Sequence, residues 1–252
     1  MLKTPLLTDD QVAAYDHDGY VVLPGGFDAA DTALIETWAC EVTALPEEPD
    51  MHWVFHETSV SDGETDLINR IEYISPFHAG FAELTDLLKA SVAQLLGEAA
   101  VLFKEKINFK MSGGGGFEPH QDSQAGWEDY AQEFVNVMVC IDPATVQNGC
   151  LEVAAGHHQR GLLRGMEPLT KEDMAGMEFR HHPTLPGDVL FFGAYTPHRS
   201  EPNLTRTTRR LYFATYNRAS EGDHLEQYYA DKHKNFPPDI EREANKEYVY
   251  KV

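Results

Sequence analysis

The chain has 252 residues, 42% hydrophobic and 24% charged, a balance that supports a soluble globular protein with its own core. Its formal charge of −21 argues against nucleic acid or an anionic membrane as a partner, since both select basic surfaces. Three cysteines without a CxxC pair do not make a disulfide framework or a zinc ribbon, no run reaches about 18 apolar residues, and no signal-like N-terminus is present, so a cytoplasmic address is expected.

In chain order, Thr8 with Gln11 has the form of a capping box, and Gly19 stands where that helix would end. Tyr20-Val21-Val22-Leu23 reads as a short strand stopped by Pro24-Gly25-Gly26. Asp28 is placed to cap a second helix, with Leu34, Ile35 and Trp38 on one side. Asn69-Arg70-Ile71-Glu72-Tyr73 is a strand-like run whose alternating Arg70 and Glu72 are expected either to pair with each other, the favoured reading, or to bring one of the two to the substrate. Phe81, Leu84, Leu87, Leu88, Val92 and Leu95 recur at spacings of three and four and predict a third helix. The first hundred residues therefore read as mostly helical.

After Gly97 the texture changes. Short runs rich in β-branched and aromatic residues cover 101–103, 106–110, 134–141, 150–153, 188–192 and 210–216, with glycine or proline between most of them. Strands at such intervals predict a sandwich or barrel rather than an alternating βα fold. The expectation is one domain over 1–252, with a helical portion 1–100 packed outside a double-sheet β portion 101–252. The glycine run 113–116 fits a plain turn or a lid hinge equally well.

The chemistry is concentrated in Glu118-Pro119-His120-Gln121-Asp122. In an extended segment, positions i and i+2 face the same way, so His120 and Asp122 can reach one ion. Two imidazoles and one carboxylate make the facial triad that suits non-haem Fe(II) and leaves positions open for oxygen chemistry. Of the twelve histidines, His198 is the best placed third ligand, after an apolar strand and the turn residues Gly193 and Pro197. His157, His158, His181 and His182 adjoin Gly156 or Pro183, and His52, His56 and His78 fall in the helical half. Arg209, eleven positions after His198, is suited to clamp a carboxylate bidentately.

With these residues in view, the sequence resembles the phytanoyl-CoA dioxygenase family of Fe(II)/2-oxoglutarate oxygenases. The segments that carry the likeness are 7–11, 18–25, 104–110, 120–122, 148–153, 186–188 and 198–200, followed by Asn203 and Arg209. The resemblance implies a double-stranded β-helix (jelly roll) with iron at one open end and a cofactor set of Fe(II), 2-oxoglutarate and O₂. It implies His120, Asp122 and His198 as ligands and Arg209 on the distal carboxylate of 2-oxoglutarate. Ser200 would assist Arg209, and Lys104 and Asn108 lie where relatives place further co-substrate contacts. The usual glycine after the distal histidine is Arg199 here, which would put a cation near the pocket mouth.

The implied reaction couples decarboxylation of 2-oxoglutarate, giving succinate and CO₂, to hydroxylation of an unactivated C–H bond. The runs around 106–109, 113–120, 216–224 and 228–232 look like a subgroup acting on 2-aminoethylphosphonate or its trimethylated analogue. Lys106, Arg199 and Arg218 are then candidates for the phosphonate dianion, and Trp127, Tyr130 and Tyr195 for an ammonium end. Gln121, between two ligands, joins the candidate substrate contacts. The alternatives are the same chemistry on an amino acid, betaine or acyl compound, and a non-catalytic jelly-roll binding protein.

Overall fold

Thr8 opens the first helix, α1 (Asp9–Asp18), by accepting from the Gln11 backbone N–H, while the Gln11 side chain accepts from Thr8 N–H at 2.9 Å. Gly19, at φ 81°, closes it in the left-handed conformation that glycine adopts at least cost. This chain is described by a computed structural model over residues 2–248; Met1 and residues 249–252 of the expected domain lie outside the described residues.

Beyond α1 come β1 (Tyr20–Leu23) and α2 (Ala29–Thr43), whose first N–H groups are accepted by the Asp28 carboxylate. Ile35, Ala39 and Val42 bury the inner face of α2, whereas Leu34, expected beside Ile35, is exposed. A hairpin of β2 (Trp53–Thr58) and β3 (Asp66–Glu72) follows, then α3 (Ala79–Leu96). The β-rich part contains β4 (Ala100–Lys110), β5 (Phe117–His120), β6 (Phe134–Cys140), β7 (Leu151–Ala154), β8 (Phe179–His182), β9 (Val189–Gly193), β10 (His198–Ser200) and β11 (Arg209–Arg218). It ends with α4 (Leu225–Asn235).

The described strands form two antiparallel sheets, ordered β1-β9-β6-β11-β4-β3-β2 and β5-β10-β7-β8. This is the jelly-roll double sheet expected for the second half. The first hundred residues are less helical than expected, because β2 and β3 extend the large sheet from the edge of β4. Aromatic and β-branched residues drive that hairpin: Trp53, Val54, Phe55 and Ile71 are buried.

The core has two layers. Outside the large sheet, Phe81, Leu84, Leu88 and Val92 of α3 are fully buried in one cluster with Ile107, Phe109, Tyr212 and Tyr216. Each such side chain contributes about 1.5–3 kcal/mol by leaving water, so truncating Leu88 to alanine costs roughly 2–5 kcal/mol. Between the sheets, Met138, Leu190, Phe192 and Leu211 pack with Leu151 and Val153. Strand β4 serves both layers by its period of two: Ile107 and Phe109 belong to the outer apolar cluster, while Lys104, Lys106 and Asn108 line an inter-sheet cavity. Among the described residues no helix is long and apolar enough to cross a membrane.

Candidate active site

Antiparallel pairing of β5 with β10 sets His120 directly opposite His198. Gln121 is extended at φ −116° and ψ 134°, so Asp122, the first residue of a 3₁₀ turn, still points to the same side as His120. One donor atom from each of His120, Asp122 and His198 lies within 4.8 Å of the others. The closest pairs are His120 Nε2 to Asp122 Oδ1 at 3.7 Å and His198 Nε2 to Asp122 Oδ2 at 3.9 Å.

The backbone selects the histidine tautomers. His120 Nδ1 donates to the Glu118 carbonyl at 2.7 Å and His198 Nδ1 to the Thr196 carbonyl at 3.0 Å. A carbonyl can only accept, so each ring carries a proton on Nδ1 and turns its Nε2 toward Asp122. Burial, and then the neighbouring His120, push His198 down to about 4, which keeps its ring neutral. Burial works to raise the Asp122 carboxyl, but the two histidines and Lys104 hold it well below the usual carboxylate range. A neutral His198 beside an ionised Asp122 suits the binding of a divalent cation.

Asp122 is aimed from behind. Asn136 on β6 donates from Nδ2 to Asp122 Oδ2 at 2.9 Å, and Thr215 on β11 donates to Asn136 Oδ1 at 2.6 Å. Both residues escaped the sequence reading. The signal was a lone asparagine within the apolar run Phe134–Cys140.

The triad opens into a cavity of about 280 Å³ whose lining includes Lys104, Lys106, Asn108, Trp127, Asn136, Phe192, Arg199, Ser200, Arg209 and Phe213. Register orders one wall. Lys104, Lys106, Asn108 and Lys110 of β4 stand opposite Thr215, Phe213, Leu211 and Arg209 of β11. Arg209 and Ser200 therefore lie at one end of this row and Lys104 at the other.

At the Arg209 end the guanidinium is 2% exposed, and burial pulls it down to about 10. Its Nη1 donates to the Gly149 carbonyl at 2.6 Å, while its buried Nε has no partner among the described residues. Position 149 requires glycine: its φ is 73°, and a Cβ would collide with the Glu201 carbonyl. Lys110, which sequence reasoning missed, donates to Ser200 Oγ at 2.7 Å and to the Glu201 carbonyl. Burial, followed by repulsion from Arg209, pulls its ammonium down to about 7. Asn108 Oδ1 is likewise buried without a partner. Such orphaned polar groups facing a cavity are costly unless a ligand meets them.

The expected substrate residues divide. Lys106 and Trp127 line the cavity. Arg199 also lines it, but its fork is spent on Glu152 Oε2 at 2.9 and 3.2 Å, because β10 and β7 place the two residues opposite each other. Gln121 is turned away, donating to the Gly161 and Tyr195 carbonyls and accepting from Leu163 N–H, so it braces a loop. Tyr195 donates to Glu128 at 2.7 Å and Tyr130 to Asp231 at 3.1 Å, so both hydroxyls are engaged at partly open positions. Arg218, at the last position of β11, pairs with Glu133 and Glu98 instead of reaching the cavity. Arg70 and Glu72 do pair, at 2.6 Å, and Lys232 of α4 joins them through Glu72. The glycine run 113–116 is a turn laced to Asn203: Gly113 N–H donates to the Asn203 carbonyl at 2.8 Å, and Asn203 N–H to the Gly114 carbonyl at 2.9 Å.

Comparison with known proteins brings in related chains. The family model described as phytanoyl-CoA dioxygenase (PhyH) matches residues 15–211. A methylphosphonate hydroxylase of Gimesia maris is 38% identical over 234 residues, covering 91% of this chain and 88% of the relative. A 2-aminoethylphosphonate dioxygenase of uncultured bacterium HF130_AEPn_1 is 37% identical over 247 residues, covering 96% and 93%. Among solved structures, EctD from S. alaskensis with 2-oxoglutarate and 5-hydroxyectoine matches with a TM-score of 0.71 at 26% identity, covering 86% of this chain and 78% of that one.

Proposed function

Because the chain belongs to the phytanoyl-CoA dioxygenase family, we propose that it is an Fe(II)- and 2-oxoglutarate-dependent dioxygenase that hydroxylates a C–H bond of a small organophosphonate, 2-aminoethylphosphonate or an N-methylated analogue. The 38% identical methylphosphonate hydroxylase adds methylphosphonate to the same substrate class. The observation that carries the reading is the convergence of His120, Asp122 and His198 within 4.8 Å at the wall of a cation-lined cavity.

The donor set fits the metal. Two imidazoles and one carboxylate suit Fe(II), and three ligands leave room for a keto acid and a gas molecule. When bound, the iron with 2-oxoglutarate and O₂ supplies the oxidising power, releasing succinate and CO₂ as the substrate gains a hydroxyl group. The remaining work falls to the protein. Asn136 and Thr215 fix the plane of the Asp122 carboxylate. Arg209, with its unpartnered Nε, holds the distal carboxylate of the co-substrate beside Ser200. Leu151, Phe192, Leu211 and Phe213 give the cavity apolar walls that exclude water from the reacting centre.

The test is coupled turnover. With Fe(II), 2-oxoglutarate and air, one of methylphosphonate, 2-aminoethylphosphonate and its N-methylated forms is expected to raise succinate formation in step with a hydroxylated phosphonate seen by phosphorus NMR. If none raises succinate above the substrate-free rate, the phosphonate assignment falls and only the oxygenase class stands.

A further inference from the structure

We propose that Lys104 and Lys106 together form the seat for the substrate's anionic head, at the Asp122 end of the cavity and separate from the co-substrate anchor at Arg209. This rests on the phosphonate reading above and deepens it. The alternation of β4 puts both side chains on the cavity wall, about 7 Å apart along the strand.

Neither of these two cations has a direct counter-ion: the Asp122 and Glu72 carboxylates act on Lys104, and Glu72 on Lys106, only through space. Lys104 is 7% exposed, and its ammonium lies 4.2 Å from the centre of the Trp127 ring and 5.7 Å from that of Tyr228. Lys106 has its ammonium 5.7 Å from the Phe213 ring centre. Among the described residues, neither ammonium is hydrogen-bonded or ion-paired to an acceptor. Neighbouring cations are matched: Arg70 and Lys232 share Glu72, and Arg199 is bound to Glu152. Holding two ammonium groups side by side in a partly dry cavity costs free energy that an anion bridging them would recover. A tetrahedral phosphonate dianion has the charge and the three acceptor oxygens for that position.

The same geometry separates the two anions the enzyme must bind. Six residue steps of extended strand separate Lys104 from Lys110, the register partner of Arg209, a backbone distance of about 20 Å. A five-carbon diacid anchored at Arg209 does not span it. Lys104, expected from the family likeness to touch the co-substrate, belongs to the substrate instead. Its hold on the Trp127 ring also fills the aromatic face that an ammonium end would need.

The test is calorimetric titration, under argon, of methylphosphonate and 2-aminoethylphosphonate into the protein loaded with Fe(II) and 2-oxoglutarate, for wild type, Lys104→Gln and Lys106→Gln. Each substitution is expected to weaken the phosphonates that wild type binds at least tenfold, while 2-oxoglutarate affinity, measured separately, stays within twofold and reports an intact fold. Phosphonate affinity within twofold of wild type in both variants overturns the seat and leaves the phosphonate reading intact. A parallel loss of 2-oxoglutarate affinity in Lys106→Gln also overturns it, by assigning the lysines to the co-substrate. A wild-type protein that binds 2-oxoglutarate but neither phosphonate removes the phosphonate reading, and the seat with it.

Discussion

Asn136 donates its side-chain amide to Asp122 at 2.9 Å, so the acid of the triad is held by a neutral group from the opposite sheet. The Thr215 hydroxyl fixes the other end of the Asn136 amide and thereby decides which of its atoms faces the carboxylate. Removing this support leaves the three donors in place but frees the carboxylate to rotate. Asn136→Ala is expected to weaken Fe(II) binding roughly 10–100-fold, read by metal titration. Unchanged iron affinity in a folded variant would show that Asn136 only fills space.

Arg209 supplies a planar fork, and lysine does not replace a fork. Arg209→Lys keeps the charge but loses the paired N–H groups, so the dissociation constant of 2-oxoglutarate is expected to rise about tenfold or more. Arg218→Gln, at a site committed to Glu133 and Glu98, is expected to leave it unchanged. Equal behaviour of the two variants would misplace the co-substrate anchor.

Lys110 makes co-substrate binding depend on pH. With its ammonium at about 7, pulled down by burial and then Arg209, Lys110 is largely neutral at pH 8. A carboxylate arriving beside Arg209 and Ser200 favours the charged form, so binding takes up a proton and affinity falls as pH rises from 7 to 9. Calorimetry at pH 8 in two buffers of different ionisation enthalpy should detect that uptake in wild type and its loss in Lys110→Met. Identical buffer dependence in the two proteins would contradict this role.

Glu105 affects stability rather than chemistry. Burial raises its carboxyl from 4.5 to about 7, even though Ile74 and Ser75 N–H groups donate to it. Between those values the folded state keeps a proton that the unfolded chain releases. Its contribution is therefore full below pH 4.5 and is lost as pH rises through 7, by on the order of 3 kcal/mol. The stability of wild type relative to Glu105→Gln should fall by that amount between pH 4.5 and 8 in denaturant titrations. Parallel profiles would show that Glu105 does not titrate in this range.

The sequence made some of this legible and hid the rest for physical reasons. Thr8 with Gln11, Asp28, and the three-and-four spacing from Phe81 to Leu95 are local signals, and helices form where they indicate. The triad was readable because His120 and Asp122 are two residues apart and His198 follows a strand with its own turn. Asn136, Thr215 and Lys110 were not, since each acts across a strand pairing that only register reveals. Gln121 misled because it sits between His120 and Asp122, yet its own side chain serves loop carbonyls. Arg218 misled because a charge at a strand end is settled by whichever carboxylates the fold brings near it. Helix α4 was missed because its charged sequence leaves only Tyr228 and Tyr229 as a buried face.

The most direct measurement is an anaerobic titration of Fe(II) followed by 2-oxoglutarate, monitored by visible absorption, for wild type and for His120→Ala, Asp122→Ala and His198→Ala. The account predicts one equivalent of iron and a weak charge-transfer band on adding 2-oxoglutarate to wild type, with the band lost in all three variants. A wild type that binds no iron, or a band that survives removal of each of these side chains, would contradict it.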